Sequence, residues 1–232
     1  EAAGKAGFKI DRQAPAIDYT LTPAFNVAGW NNSAVSVVFA GTDAVSGVEE
    51  CSSGNIAMEG AGQEIAGWCR DFAGNISYAT ATINVDLTVP LASVLQTPAR
   101  NAYGWNNTPV TAVFTGTDTV SGMAYCSSAA LLETEGSSRT LSGYCMDYAG
   151  WSSTASLTVN VDTTAPSLAY VINPAANEAG WNNFDVTLEF TCADGLSGVR
   201  SCPAAIPLTG EGVDISTSIA AYDYAGNLMD IL

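Results

Sequence analysis

Two kinds of residue in this 232-residue sequence could do chemistry: six cysteines and a recurring set of aspartates. Cys51 and Cys69, Cys126 and Cys145, and Cys192 and Cys202 fall as three neighbouring pairs. An even count spread in this way, with no C-x-x-C and no histidine in the chain, reads as one structural disulfide per pair rather than a metal or redox site. Closed loops of this size are worth roughly 3 kcal/mol each in the chain-entropy account. They imply an oxidising compartment, extracellular or periplasmic. The aspartates come in three sets. Asp11, Asp86 and Asp162 precede short proline-bearing joints; Asp43, Asp118 and Asp194 open D-x-x-S-G; Asp71, Asp147 and Asp223 open D-x-A-G. Carboxylate oxygens at joints between β-domains suit a hard cation, so Asp11, Asp86 and Asp162 are candidate calcium ligands. Against this stands the ordinary use of Asp in turns, and no D-x-D-x-D-G loop occurs. Without histidine there is no Ser-His or Cys-His nucleophile pair. Carboxylate pairs of the glycosidase kind remain formally open, but aspartates that recur in every turn are what a scaffold produces. No catalytic residue, and no cofactor besides calcium, is expected.

The elements that must position these residues repeat along the chain. GWNN occurs at Trp30, Trp105 and Trp181, and whole segments align around it with almost no gaps. A period of about 76 residues is long enough for each unit to enclose its own small core, so the repeat describes a domain array and not a solenoid. After GWNN, alternate residues are apolar: Val35, Val37, Phe39; Val110, Ala112, Phe114; Val186, Leu188, Phe190. A period of two is a half-buried strand. Gly47, Gly122 and Gly198 close the D-x-x-S-G turns. Six or seven short strands per unit and no helical periodicity predict an all-β chain of three tandem immunoglobulin-like antiparallel β-sandwiches. The boundaries are 1–11 for an N-terminal strand, 12–86 and 87–162 for the first two modules, and 163–232 for a third lacking its last strand. Joints with Pro15, Pro90 and Pro166 are short and stiff, which predicts an extended rod.

Taken together, GWNN, D-x-x-S-G, D-x-A-G-N and V-D-x-T-x-P resemble the bacterial immunoglobulin-like modules strung along large secreted and surface proteins. The resemblance runs from about Asp11 to the C-terminus. It implies stalks, spacers or adhesive arms without catalytic machinery. The third module departs from the pattern by stopping before its last strand. The second carries Trp151 where the others carry Asn75 and Asn227, which predicts a different turn there.

Charge and composition narrow the partners. A formal net charge of −16 repels phosphate backbones and anionic lipid heads, so nucleic acid is excluded as a partner. No apolar run is long enough to span a bilayer. The three tryptophans admit a sugar-stacking ladder, though a residue with the same neighbours in every unit is better explained as a cap on its own sandwich. N-x-S/T at Asn31, Asn75 and Asn106 marks formal glycan acceptors. The segment Ala6, Gly7, Phe8, Lys9, Ile10, Asp11 looks strand-like and matches in length what the third module lacks. It is therefore either the end of a preceding module or a donor strand for a neighbouring copy, giving a head-to-tail polymer. The leading expectation is an extracellular stalk or spacer of a bacterial surface or appendage protein. The alternatives are a strand-donating filament subunit and an adhesin binding surface glycans. Partners are neighbouring copies or further modules, end to end.

Overall fold

The computed structural model describes residues 7–213 and 215–231. It is all-β, with no helix among the described residues and antiparallel strand pairing within the sheets. The first repeat contributes β1 (Ala16–Thr22), β2 (Val35–Thr42), β3 (Val48–Cys51), β4 (Ser53–Ile56), β5 (Gly60–Asp71) and β6 (Ile76–Val85). These form two three-stranded sheets, β1-β2-β4 and β3-β5-β6. The second repeat supplies β7 (Leu91–Thr97), β8 (Val110–Thr117), β9 (Met123–Cys126), β10 (Ala130–Leu132), β11 (Gly136–Asp147) and β12 (Ser152–Val161), ordered β7-β8-β10 and β9-β11-β12. The third repeats the order with β13 (Ser167–Asn173), β14 (Val186–Ala193), β15 (Val199–Ser201), β16 (Ile206–Leu208), β17 (Ile219–Asp223) and β18 (Leu228–Ile231).

Alternation sets which side of each strand is buried. In β2, Val35, Val37 and Phe39 are at most 3% exposed while Ser36, Val38 and Ala40 face outward. They pack with Ala81, Ile83 and Val85 of β6 and Cys69 of β5, and Ile17, Tyr19 and Leu21 of β1 close over them. Both sheets of the first repeat therefore share one apolar core, as a β-sandwich requires. Val110, Leu132, Val159 and Val161 form the corresponding cluster in the second repeat. By contacts the residues fall into two compact units. One holds the chain up to Ala92 with Thr115–Ser127 and Tyr144–Thr154; the other holds Ser93–Phe114, Ser128–Gly143 and the chain from Ala155.

Two glycines are set by close approach. A Cβ at Gly67 would meet the Phe39 ring at 2.2 Å, and one at Gly143 would meet the Phe114 ring at 2.8 Å. Each ring belongs to the buried face of its strand and has no room to retreat.

The cysteines are joined as Cys51–Cys69, Cys126–Cys145 and Cys192–Cys202, with no free thiol among the described residues. The first two tie directly opposed residues of neighbouring strands, at Cα separations of 4.1 and 4.0 Å. The third differs: it links β14 to the residue after β15, and so ties one sheet of the repeat to the other.

Gly7–Asp11 lie in no sheet of this single chain, and Phe8 and Ile10 are 85% and 71% exposed; a strand completed by another module or copy would take its ladder from that partner. Ala6 lies outside the described residues. The third repeat has the start of a final strand: β18 pairs with β17, from Tyr222↔Leu228 to Ile219↔Ile231, in the place that β6 and β12 fill, with 4 residues where those strands have 10. Alternation over so few residues is too short a signal to read as a strand.

Gly67→Ala and Gly143→Ala should each destabilise the chain by about 1–3 kcal/mol through overpacking. Urea denaturation followed by tryptophan fluorescence checks this, with Gly195→Ala, whose added Cβ meets nothing within 4 Å and whose backbone is not left-handed, as the comparison for loss of a flexible residue.

Candidate functional site

The recurring motifs converge on the joints. GWNN and the residues before it form the first half. Asn26 accepts hydrogen bonds from the Ala28 and Trp30 amides at 2.9 and 3.1 Å, and Asn101 and Asn177 repeat the turn before Trp105 and Trp181. Gly29, Gly104 and Gly180 carry positive φ there. The first asparagine of each NN pair then turns inward. Asn31 and Asn106 are each 4% exposed and donate to the carbonyls of Pro23 and Ala24, and of Pro98 and Ala99. Their backbone carbonyls accept from the amides of Asp86 and Asp162 at 2.9 Å. GWNN therefore places the joint aspartate. This burial also removes Asn31 and Asn106 as accessible glycan acceptors.

The second half comes from the repeat that follows. Asp86 Oδ2 accepts from the Ser121 amide at 3.1 Å, and Asp162 Oδ2 from the Ser197 amide at 2.9 Å. Asp11 Oδ2 makes the same bond to Ser46 at 3.0 Å. The D-x-x-S-G aspartates fold their own turns, as when Asp118 Oδ1 accepts from Val120 and Gly122. A register shift in the β3–β5, β9–β11 and β15–β17 pairings falls beside Asp71, Asp147 and Asp223. Bulges of this kind re-aim side chains. Three aspartates distant in sequence are thereby brought together at each joint: Asp11 with Asp43 and Asp71, Asp86 with Asp118 and Asp147, and Asp162 with Asp194 and Asp223. In each trio the nearest carboxylate oxygens lie within 4.8 Å of one another. The sequence reading singled out Asp11, Asp86 and Asp162; the structure adds the other two members each time. Oxygen-only donors of this kind suit a hard divalent cation such as calcium, and with every described cysteine in a disulfide and no histidine there is nothing for a softer metal.

The trios differ in how they are neutralised. No Lys or Arg pairs with them among the described residues; the ion pairs are those of Arg70 with Glu49 and Glu50. In the third, the Asn227 amide donates to Asp223 Oδ2 at 2.7 Å and to the carbonyls of Asp162 and Thr164 at 2.8 and 3.2 Å. Asn75 does the same for Asp71 Oδ2, at 2.8 Å. In the second, Trp151 stands there, and its indole N–H donates only to the Asp86 carbonyl, at 3.0 Å. The turn itself is unchanged, contrary to expectation. Asp147 N–H still reaches the Trp151 carbonyl, as Asp71 N–H reaches that of Asn75. What changes is the donor: Asp147 Oδ2 is buried with no partner. Burial is the largest effect on both carboxyls. At Asp71 the Asn75 side-chain and backbone donors outweigh it and hold the pKa below the ordinary value. At Asp147 burial wins, helped by the charges of Asp86 and Asp118, and the pKa is raised.

Contacts outside the motifs complete the joints. Asn26 Nδ2 donates to the Tyr148 carbonyl at 2.8 Å, and Asn101 Nδ2 to those of Tyr224 and Ala225 at 2.8 and 3.0 Å. Tyr103 meets Tyr224 edge-on, ring centroids 5.1 Å apart. Glu59 accepts from the Thr88 hydroxyl at 2.7 Å; Glu135 accepts from the Thr163 amide, the Thr163 hydroxyl and the Thr164 hydroxyl. Sequence reasoning missed these groups, although N-x-x-G-W recurs in all three repeats and E-G at Glu59 and Glu135 recurs with the same period.

Compared with known family models and curated proteins, the chain matches none.

Asn227→Ala leaves three oxygens at a joint without their donor and should cost about 1–3 kcal/mol, read from chemical denaturation. Glu135 tests the joint through pH. Hydrogen bonds from the Thr163 hydroxyl, then the Thr164 hydroxyl and the Thr163 amide, hold its pKa below the ordinary glutamate value. Its contribution is therefore full at neutral pH and is lost as pH falls through the folded-state pKa. Glu135→Gln should lower the melting temperature at pH 7, and the difference from the native chain should shrink steadily as the pH is taken down through the acid range.

Proposed function

We propose that this chain is a non-catalytic extracellular spacer, built as three tandem immunoglobulin-like β-sandwiches set end to end in a stiff rod. The observation that carries this reading is the duplicated joint. Asp86 and Asp162 each reach the serine amide of the next repeat, each is met by the residue after D-x-A-G, and each joint is braced by an asparagine from the loop before GW. Selection for catalysis concentrates unusual residues at one place. Here the most specific hydrogen bonding lies between consecutive repeats, and it recurs with the repeat. Several bonds of about 1 kcal/mol each, added to a short proline-bearing linker, suffice to bias a joint strongly toward one angle.

The compartment follows from the disulfides. Three of them in so short a chain fit an oxidising environment outside the cytosol. No helix among the described residues is long and apolar enough to cross a membrane. The tryptophans are better explained as parts of turns than as a sugar ladder, since each supplies its amide and carbonyl to the asparagine four positions before it.

Small-angle X-ray scattering of the purified chain tests the rod. Three sandwiches of roughly 33 Å in line give a radius of gyration of about 30 Å, whereas a single globule of this length gives about 17 Å. A value near the lower figure would refute the spacer reading. Asn101→Ala should broaden the distance distribution without unfolding the repeats.

A further inference from the structure

The three joints carry the same aspartates and differ in the side chain that follows D-x-A-G. Where the first and third have Asn75 and Asn227, the second has Trp151. The asparagine amide has two N–H groups and serves both the joint carbonyl and the buried carboxylate. An indole has one, and Trp151 gives it to the Asp86 carbonyl. The carboxylate oxygen that the amide would have satisfied is Asp147 Oδ2, on a residue 2% exposed. At Asp71 and Asp223 the equivalent oxygen is the one held by the asparagine that also binds the joint carbonyl, and a carboxylate oxygen of Asp147 lies within 4.8 Å of one each from Asp86 and Asp118.

A buried, unpartnered carboxylate oxygen beside two further carboxylates is a costly arrangement, and among the described buried side-chain atoms without a partner this is the one carboxylate. Asp118 adds a second oxygen without a protein donor, since the bonds to its side chain all fall on Oδ1. Three acidic groups offering oxygen donors only, with no basic side chain paired to them among the described residues, make a site that a hard divalent cation would balance.

We propose that Asp86, Asp118 and Asp147 bind one divalent cation of the calcium class, and that Trp151 makes this joint the cation-dependent one of the three. At the other two joints an asparagine amide already satisfies the buried carboxylate, and it competes with a cation for the same oxygen. A chain of this design has one joint set by an ion and two set by hydrogen bonds. In low calcium the middle joint loosens first. This rests on the spacer reading for its consequence and on the local geometry alone for the binding.

Isothermal titration of the chelator-treated full chain with calcium chloride tests it. The expected result is a single strongest site per chain, weakened at least about tenfold by Trp151→Asn, which restores the amide. Asp147→Asn should abolish that site. Circular dichroism confirms that each variant is folded. If Asp147→Asn fails to fold, Asp118→Asn, at a half-buried position, takes its place and should abolish the site likewise. Three equivalent sites, no binding, or an unchanged isotherm for Trp151→Asn would each overturn the assignment. A chain that scatters as a rod but binds no calcium sinks this inference and leaves the spacer reading standing. One that binds calcium yet scatters as a globule does the reverse.

Discussion

The structure depends on keeping a buried carboxylate content at the end of each repeat. Asp71, Asp147 and Asp223 are at most 2% exposed, and each is the acceptor that shapes the D-x-A-G turn. A buried charge is tolerable only where donors surround it. The backbone amides of the turn supply part of that need. At Asp71 and Asp223 the rest comes from the Asn75 and Asn227 side chains of the same turn, and the Asn227 amide also donates to the Asp162 and Thr164 carbonyls, so turn and preceding segment share one donor. This is why the motifs are spread along the sequence yet meet in one place.

The same constraint explains the repeated letters. GWNN sits on one repeat, with its first asparagine buried beneath a turn and its carbonyl holding the amide of the joint aspartate. The D-x-x-S-G serine of the next repeat offers its amide to that aspartate's side chain. Neither half is complete alone. The apolar clusters of the first two repeats are an ordinary matter of alternating Val, Ile, Leu and Phe, whose burial stabilises but does not orient. Orientation comes from the polar groups at the ends.

The strands were largely legible in the sequence because a period of two over Val35–Phe39 or Val110–Phe114 has one physical meaning. The cysteine pairs were legible because their even, unit-by-unit spacing leaves few choices. β18 was not legible, since a few residues carry too little alternation. The joint aspartates were recognised one set at a time. Their assembly into trios was hidden because bulges and turn geometry bring them together, and neither leaves a pattern in spacing. The consequence of Trp151 was hidden for another reason. The departure from Asn is visible in sequence, but only the donor count around Asp147 Oδ2 shows what it removes.

The central claim is that the joints are held by specific hydrogen bonds and are not flexible tethers. Amide hydrogen exchange at Ser121 and Ser197 in the native chain tests it most directly. Each amide has its joint aspartate, Asp86 or Asp162, as acceptor. The account predicts exchange as slow as that of the neighbouring strand amides. Exchange at the rate of an open loop, with the strands still protected, would contradict it.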